Sequence, residues 1–158
     1  MPRGNAKIRK IPLQPDAKYD STLISKFINY IMLNGKKSVA KDIVYDALSK
    51  SSLKLSVDPV DLFNQVLRNV GPILEVKSRR IGGANYQVPM EVNKDRKNTL
   101  AMRWIITAAR SAKGQPMADK LASELLNAYN GEGAAVKKKE ETHKMAEANK
   151  AFAHFARF

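Results

Sequence analysis

Several kinds of chemistry are excluded by what this sequence lacks. It contains no cysteine, which excludes disulfides, thiolate zinc sites and cysteine nucleophiles and is typical of a reducing compartment. It has only two histidines, His143 and His154, and neither has a constellation of carboxylates around it. The sequence therefore supports neither a metal site nor a general base, and we expect no cofactor.

Long apolar runs and acidic residues are also scarce. No run approaches the roughly 20 apolar residues that a membrane span needs, and no apolar stretch of signal-peptide length follows the basic N-terminus. We therefore expect a soluble, cytoplasmic-type protein with no membrane partner. The 28 Lys and Arg outnumber the 15 Asp and Glu, for a net charge of +13. Because such an excess repels itself, it favours a polyanionic partner.

Helical periodicity dominates the chain, which predicts a mainly α fold in one domain over residues 1–158. The fold class is a bundle of about six helices with one protruding β-hairpin, a basic extended N-terminal arm and a C-terminal tail. The predicted segments are an arm over 1–19, three helices over 20–72, a hairpin over 73–92, two helices over 93–131, and a C-terminal helix with its tail over 132–158.

Capping residues give the starts of the first three helices. Asp20 or Ser21 caps the first helix, and Asp58 followed by a proline begins the third. The second helix starts near Ser38 and is expected to fray into the polar stretch 49–56. The charged last segment has too little apolar area to be core on both sides.

The predicted hairpin carries a cluster of cations near its tip. The period changes to two after Ile73, and two adjacent glycines supply a tight turn. Phosphates would neutralise Lys77, Arg79 and Arg80, and Tyr86 could stack on an unpaired base. The alternative is an ordinary solvated hairpin whose charges hinder aggregation.

A row of arginines lies on the long helix that follows. Arg96, Arg103 and Arg110 are seven positions apart, so they drift only about 20° per step and can contact successive phosphates. Trp104 lies on the neighbouring apolar face and should pack inward. Alternatively, the arginines pair with acidic side chains.

Both ends of the chain mix cations with possible binding groups. The arm is expected to order on an anion, with a targeting presequence as the alternative. The tail could stack on bases, or it could clamp back onto the helices. The residues concerned are Arg3, Lys7, Arg9 and Lys10 in the arm, and Phe152, His154, Phe155, Arg157 and Phe158 in the tail.

Four blocks of sequence resemble bacterial-type ribosomal protein seven of the small subunit. They are "FINYIMLNGKKSVAKDIVYDAL" (27–48), "VGPILEVKSRRIGGANYQVPMEV" (70–92), "LAMRWIITAAR" (100–110) and "AVKKKEETHKMAEANKAFAH" (135–154). The resemblance implies a non-enzymatic, primary binder of the 3′ major domain of small-subunit ribosomal RNA that nucleates assembly of the head. It also implies a place at the subunit interface, with the hairpin near the exit-site transfer RNA and the messenger path.

The resemblance further implies partners and RNA-binding positions. The partners are the ninth and eleventh small-subunit proteins, with no homo-oligomer required, in a ribosome of the cytoplasm or of an organelle's stroma or matrix. Beyond the arm, the candidate RNA-binding residues are Lys36, Lys37, Lys77, Arg79, Arg80, Gly82, Gly83, Tyr86, Gln87, Arg96, Arg103, Trp104, Arg110 and Lys113. The sequence departs from the family pattern at Asn85, where threonine is expected, and in its ending, "AHFARF".

Three other functions fit parts of the same sequence. A DNA-bending protein that inserts a β-arm would carry an apolar wedge at the tip, for which Ile81 is the only candidate. An RNA-processing enzyme would need a nucleophile, metal site or base. A helical protein-interaction module would use its charge for solubility alone.

Overall fold

A computed structural model describes residues 12–157, with the backbone alone for residues 156–157. In chain order the elements are α1 (Thr22–Ile31), α2 (Lys37–Leu55), α3 (Pro59–Val70), β1 (Leu74–Ile81), β2 (Ala84–Glu91), α4 (Lys94–Ser111), α5 (Met117–Tyr129), α6 (Ala134–Ala148) and a 3₁₀ tail segment (Lys150–Arg157). Helices dominate and the strands form one antiparallel hairpin, so the predicted fold class is confirmed.

Side-chain caps begin the helices where the sequence predicts them. The Ser21 hydroxyl accepts the Ile24 N–H at the start of α1, and the Asp58 carboxylate accepts the Val60 N–H at 2.9 Å at the start of α3. Each cap satisfies an N–H that has no partner within the helix. Pro59 stands at the first position of α3, where its missing N–H costs nothing.

The expectation that α2 frays in the polar stretch 49–56 is wrong. The helix continues to Leu55 because α5 packs against it there. Ser51 is fully buried in this contact, and its hydroxyl lies 2.8 Å from the Ala47 carbonyl oxygen and 3.2 Å from that of Ala122. Tertiary packing thus turns a polar sequence into a buried helical turn.

The apolar faces of α1 to α5 form one core, which the first turn of α6 closes. Phe27 of α1 and Phe63 of α3 lie at its centre, with ring centroids 5.0 Å apart. Both side chains are at most 1% exposed. The core therefore draws on every long helix that precedes the C-terminal segment.

The hairpin protrudes from this core and turns on two glycines. Residues Leu74 and Glu91 pair at its base, and Ile81 pairs with Ala84 at its tip. Gly82 and Gly83 have φ values of 56° and 90°, which a two-residue hairpin turn requires and side chains disfavour. The strands pack against α6 and the tail segment.

The described end of the predicted arm is folded rather than extended. Residues 17–19 form a turn over α2, held by the buried carboxylate of Asp16. That carboxylate accepts the Tyr45 hydroxyl at 2.8 Å and the Lys18 N–H at 3.1 Å. Burial, with the nearby Asp16, raises the pKa of Tyr45 to about 12. The cations Arg3, Lys7, Arg9 and Lys10 lie outside the described residues.

Among residues 12–157, no helix combines the length and the apolar character that crossing a bilayer requires.

Candidate nucleic-acid interface

The arginine row of α4 connects two regions of the molecule. Arg96, Arg103 and Arg110 are all exposed on this helix, as the seven-residue spacing predicts. At 1.5 Å of rise per residue, the first and last are about 21 Å apart along the axis. The row is therefore long enough to contact more than one phosphate of a nucleic-acid strand.

At the hairpin end of the row, Arg96 is paired with an acidic side chain. Its Nε and one terminal nitrogen donate to Glu75 Oε2 of β1, at 3.1 and 3.0 Å. Lys77 Nζ lies 3.9 Å from the other oxygen of Glu75. For Arg96, the alternative prediction, that the arginines of the row pair with acidic side chains, is therefore correct. Glu75 lies 21 positions from Arg96 in the sequence, and no local pattern indicates the pair.

The other two arginines of the row have uncharged partners. The guanidinium of Arg103 lies over the Tyr30 ring, 5.7 Å from its centroid. Arg110 donates to the carbonyl oxygen of Ile31 at 3.2 Å, at the end of α1. Both contacts orient a cation without neutralising it.

Lys36 and Lys37 extend this cationic surface beyond α1. Both are exposed at the start of α2, just after the turn that follows the carbonyl bound by Arg110, and Lys113 is exposed in the loop after α4. The structure thus brings together the α1–α2 turn, the α4 row and the hairpin base, which the sequence separates. Trp104 is half-buried against the core, as predicted, so its ring does not project from this surface.

The cations of the hairpin do not share one face. Arg79 lies opposite Tyr86, and Arg80 lies opposite Asn85. Because neighbouring residues of a strand point to opposite faces, these two guanidinium groups diverge. Arg80 and Gln87 are exposed on one face, whereas Arg79 is half-buried on the other. A ligand that contacts both arginines must reach around the tip of the hairpin.

Few of the predicted cations have a carboxylate partner. The ion pairs in the described part of the chain are Lys50–Asp119, Lys77–Glu75, Arg96–Glu75 and Lys138–Glu141. Within residues 12–157, therefore, no carboxylate lies within 4.0 Å of Arg79, Arg80, Arg103 or Arg110. Their charge is available to an external anion.

Tyr86 contacts the tail segment of its own chain. Its ring centroid lies 5.2 Å from that of Phe152 and 5.3 Å from that of Phe155. The His154 ring lies 4.0 Å from Phe155. The sequence predicts that the tail either stacks on bases or clamps back onto the helices. This arrangement is a clamp, but the tail packs mainly against the hairpin and not against the helices. The stacking of Tyr86 on a base stays a prediction, and Phe158 and the Arg157 side chain lie outside the described set.

A concavity of about 760 Å³ lies between the hairpin base, α6 and the tail segment. His143 lines it, and its Nε2 accepts the Ile73 N–H at 3.0 Å. Burial lowers the pKa of His143, and the charges of Lys139 and Lys97 lower it further. The imidazole is therefore a neutral acceptor that joins α6 to the start of the hairpin.

Fold and surface together define a basic helical scaffold protein that presents unpaired cations on one long helix and a hairpin. The family model described as Ribosomal protein S7p/S5e matches residues 2–150, and the chain belongs to this family. It is a structural, non-enzymatic protein of the small ribosomal subunit, and the resemblance drawn from the sequence blocks is confirmed.

Curated relatives match along almost the whole chain. The chain is 55% identical over 155 residues to the small ribosomal subunit protein uS7 of Thermosipho africanus, covering 98% of this chain and 99% of the relative. It is 52% identical over 157 residues to that of Chloroflexus aggregans, covering 99% of each. It is 58% identical over 147 residues to that of Francisella tularensis subsp. holarctica, covering 92% of this chain and 94% of the relative.

Proposed function

We propose that this chain is a primary RNA-binding protein of the small subunit, which binds the 3′ major domain of the ribosomal RNA and nucleates assembly of the head. One observation carries the proposal: no carboxylate in the described part of the chain neutralises Arg79, Arg80, Arg103 or Arg110. Contacts with α1 also orient Arg103 and Arg110. Such cations bind a folded polyanion without first breaking an ion pair.

The α4 row and the hairpin would act together on this RNA. Each neutralised phosphate releases condensed counterions and adds about 0.7 to 0.9 to the salt slope of binding. Several moderate contacts therefore sum to a tight complex that weakens steeply with salt. The arm cations Arg3, Lys7, Arg9 and Lys10 would add further contacts to the same ligand.

Family membership supports a placement within the ribosome, which is part of the proposal. The hairpin would lie beside the exit-site transfer RNA and the messenger path at the subunit interface. The neighbours would be the ninth and eleventh small-subunit proteins, in a ribosome of the cytoplasm. The exposed tip with Gly82 and Gly83 suits this role, because a backbone without side chains can approach a nucleic-acid strand closely.

Binding of the full chain to RNA tests the proposal. Affinity for the 3′ major domain would be measured over a series of salt concentrations, beside duplex DNA of equal charge and with chemical footprinting of the RNA. We expect tighter binding to the RNA, and protection confined to that domain. Stronger binding to plain duplex DNA would overturn the proposal in favour of an architectural DNA-binding protein.

Matched variants assign the surface. Arg103→Ala should weaken RNA binding and lower the salt slope by about one phosphate contact. Lys50→Ala is the control, because it also removes an exposed cation, but one that is paired with Asp119 and lies on α2, which does not pack against α4. Equal effects of the two variants would show that net charge, and not this surface, controls binding. No effect of either would favour a module whose charge serves solubility.

A further inference from the structure

The tail segment packs against the hairpin and supplies packing surface that two strands alone lack. An isolated two-stranded hairpin is marginally stable in water, and this one also concentrates cations near its tip. Val88, which lies nearer the base of the hairpin, is fully buried. Nearer the tip, Tyr86 is the apolar side chain that the tail contacts.

The contact is an aromatic cluster of three rings, here called the tail clasp: Tyr86, Phe152 and Phe155. Tyr86 lies 5.2 and 5.3 Å from the two phenylalanines, tilted by 55° and 44°. The two phenylalanine rings are nearly parallel, at 11° and 6.4 Å. These separations are within the range of favourable aromatic pairs.

The tail clasp lies directly beside the proposed RNA-binding cations. Tyr86 is the cross-strand partner of Arg79, and the next pair toward the tip contains Arg80. Cross-strand partners share one face of a hairpin, so fixing the Tyr86 ring also fixes the strand that carries both guanidinium groups. By holding the strands here, the clasp would fix the backbone positions from which the Arg79 and Arg80 side chains leave on opposite faces.

Clasp closure and RNA binding should favour each other. If RNA binds more tightly to the hairpin whose Tyr86 ring is held, then bound RNA stabilises the closed clasp, and by linkage the coupling acts in both directions.

We propose that the tail clasp is a positioning device for the RNA-binding hairpin: Phe152 and Phe155 hold Tyr86 so that Arg79 and Arg80 are oriented before RNA arrives. The proposal rests on the RNA-binding function proposed above. The phenylalanines act through the hairpin and contact no phosphate themselves. Their loss should therefore lower RNA affinity without changing the number of phosphate contacts.

The test uses the full chain with Phe152→Ala and Phe155→Ala combined. We expect faster amide exchange over residues 84–91, and an RNA affinity lower by at least about fivefold, the low end of ordinary coupling between sites. The salt slope should stay at the wild-type value, whereas Arg79→Ala with Arg80→Ala should reduce it. Phe152→Tyr with Phe155→Tyr is the matched control, because it retains both rings and should retain affinity.

Three results would overturn the proposal. If exchange accelerates but affinity is unchanged, the tail has a structural role only. Higher affinity would mean that the tail blocks Tyr86 from the RNA, and a reduced salt slope would mean that the tail itself contacts phosphates. Failure of the wild-type chain to bind the ribosomal RNA would instead contradict the proposed function, so the two failures are distinguishable.

Discussion

The helical core is stabilised by more buried apolar contacts than the hairpin with its tail. Five helices bury apolar side chains in the core, so Phe27 and Phe63 are surrounded on all sides. The hairpin buries Val88 and Pro89. It otherwise depends on its packing against α6, the tail clasp, the Arg96–Glu75 pair and one hydrogen bond to His143. Regions with few buried contacts open at lower free energy than the whole molecule. The hairpin, which presents Arg79 and Arg80, is therefore expected to open before the core, whose helix α4 presents Arg103 and Arg110.

The largest effect is expected in the core. Phe63→Ala should lower the free energy of unfolding by about 3 to 5 kcal/mol, since it removes a fully buried ring and leaves a cavity against Phe27. Chemical denaturation measures the loss. Leu53→Ala is the control: Leu53 is 81% exposed, and its replacement should change stability by less than about 0.5 kcal/mol. If Phe63→Ala lowered the free energy of unfolding by as little as Leu53→Ala, the core would not be the more strongly stabilised region.

An intermediate effect is expected where the core meets α6. The nearly buried carboxylate of Glu124 accepts the Ala135 N–H at 2.8 Å and so caps α6. Glu124→Ala leaves that donor unpaired, which should cost about 1 to 3 kcal/mol. Because α6 packs on β1, hairpin amides should also exchange faster. Glu124→Gln keeps an acceptor and should cost less. Equal losses in the two variants would rule out the capping role.

The same residue gives a pH dependence of known sign. Burial raises the pKa of Glu124 above its ordinary value of 4.5, although the N–H groups of α6 oppose this. The folded state thus holds the proton more tightly than the unfolded state does. This contribution to stability is complete below pH 4.5 and is lost as the pH rises through the raised pKa. Unfolding measured against pH should lack this component in Glu124→Gln.

The smallest effect on stability is expected at the hairpin base. Its pH dependence has the opposite sign to that of Glu124. The pKa of His143 lies below its ordinary value of 6.5, so the bond from Ile73 is present above that pH and is lost as the pH falls through the lowered pKa. The bond is worth about 1 kcal/mol. The protection factor of the Ile73 amide, which corrects for the slower intrinsic exchange at low pH, should fall on acidification. His143→Gln should abolish this response, whereas His154→Gln, a change to an exposed tail ring, should retain it.

Local patterns predicted the helix starts because they depend on neighbours in the chain. The cap at Asp58 and the proline after it require only the next few residues, and both were found as predicted. The length of α2 was not predictable in this way. Ser51 can be buried in a helix because its hydroxyl donates a hydrogen bond to the Ala122 carbonyl oxygen of α5. No property of the stretch 49–56 indicates that contact.

The candidate site was predictable in composition but not in geometry. The seven-residue spacing placed Arg103 correctly on the exposed side of α4. It did not show that Glu75 pairs with Arg96, or that Asp16 folds the end of the arm onto Tyr45. Each of these contacts joins residues from separate elements, whose approach depends on how the whole core packs.

The amino-acid sequence by itself determined the helices, the hairpin and the excess of positive charge. Net charge is a sum over residues and does not depend on where the chain places them, and caps and apolar stripes act over a few positions. Only the tertiary structure decided which cations stay unpaired, and that Tyr86 meets Phe152 and Phe155. Electrostatic pairing and ring packing act over a few ångströms of space, so they depend on which distant segments the fold brings into contact.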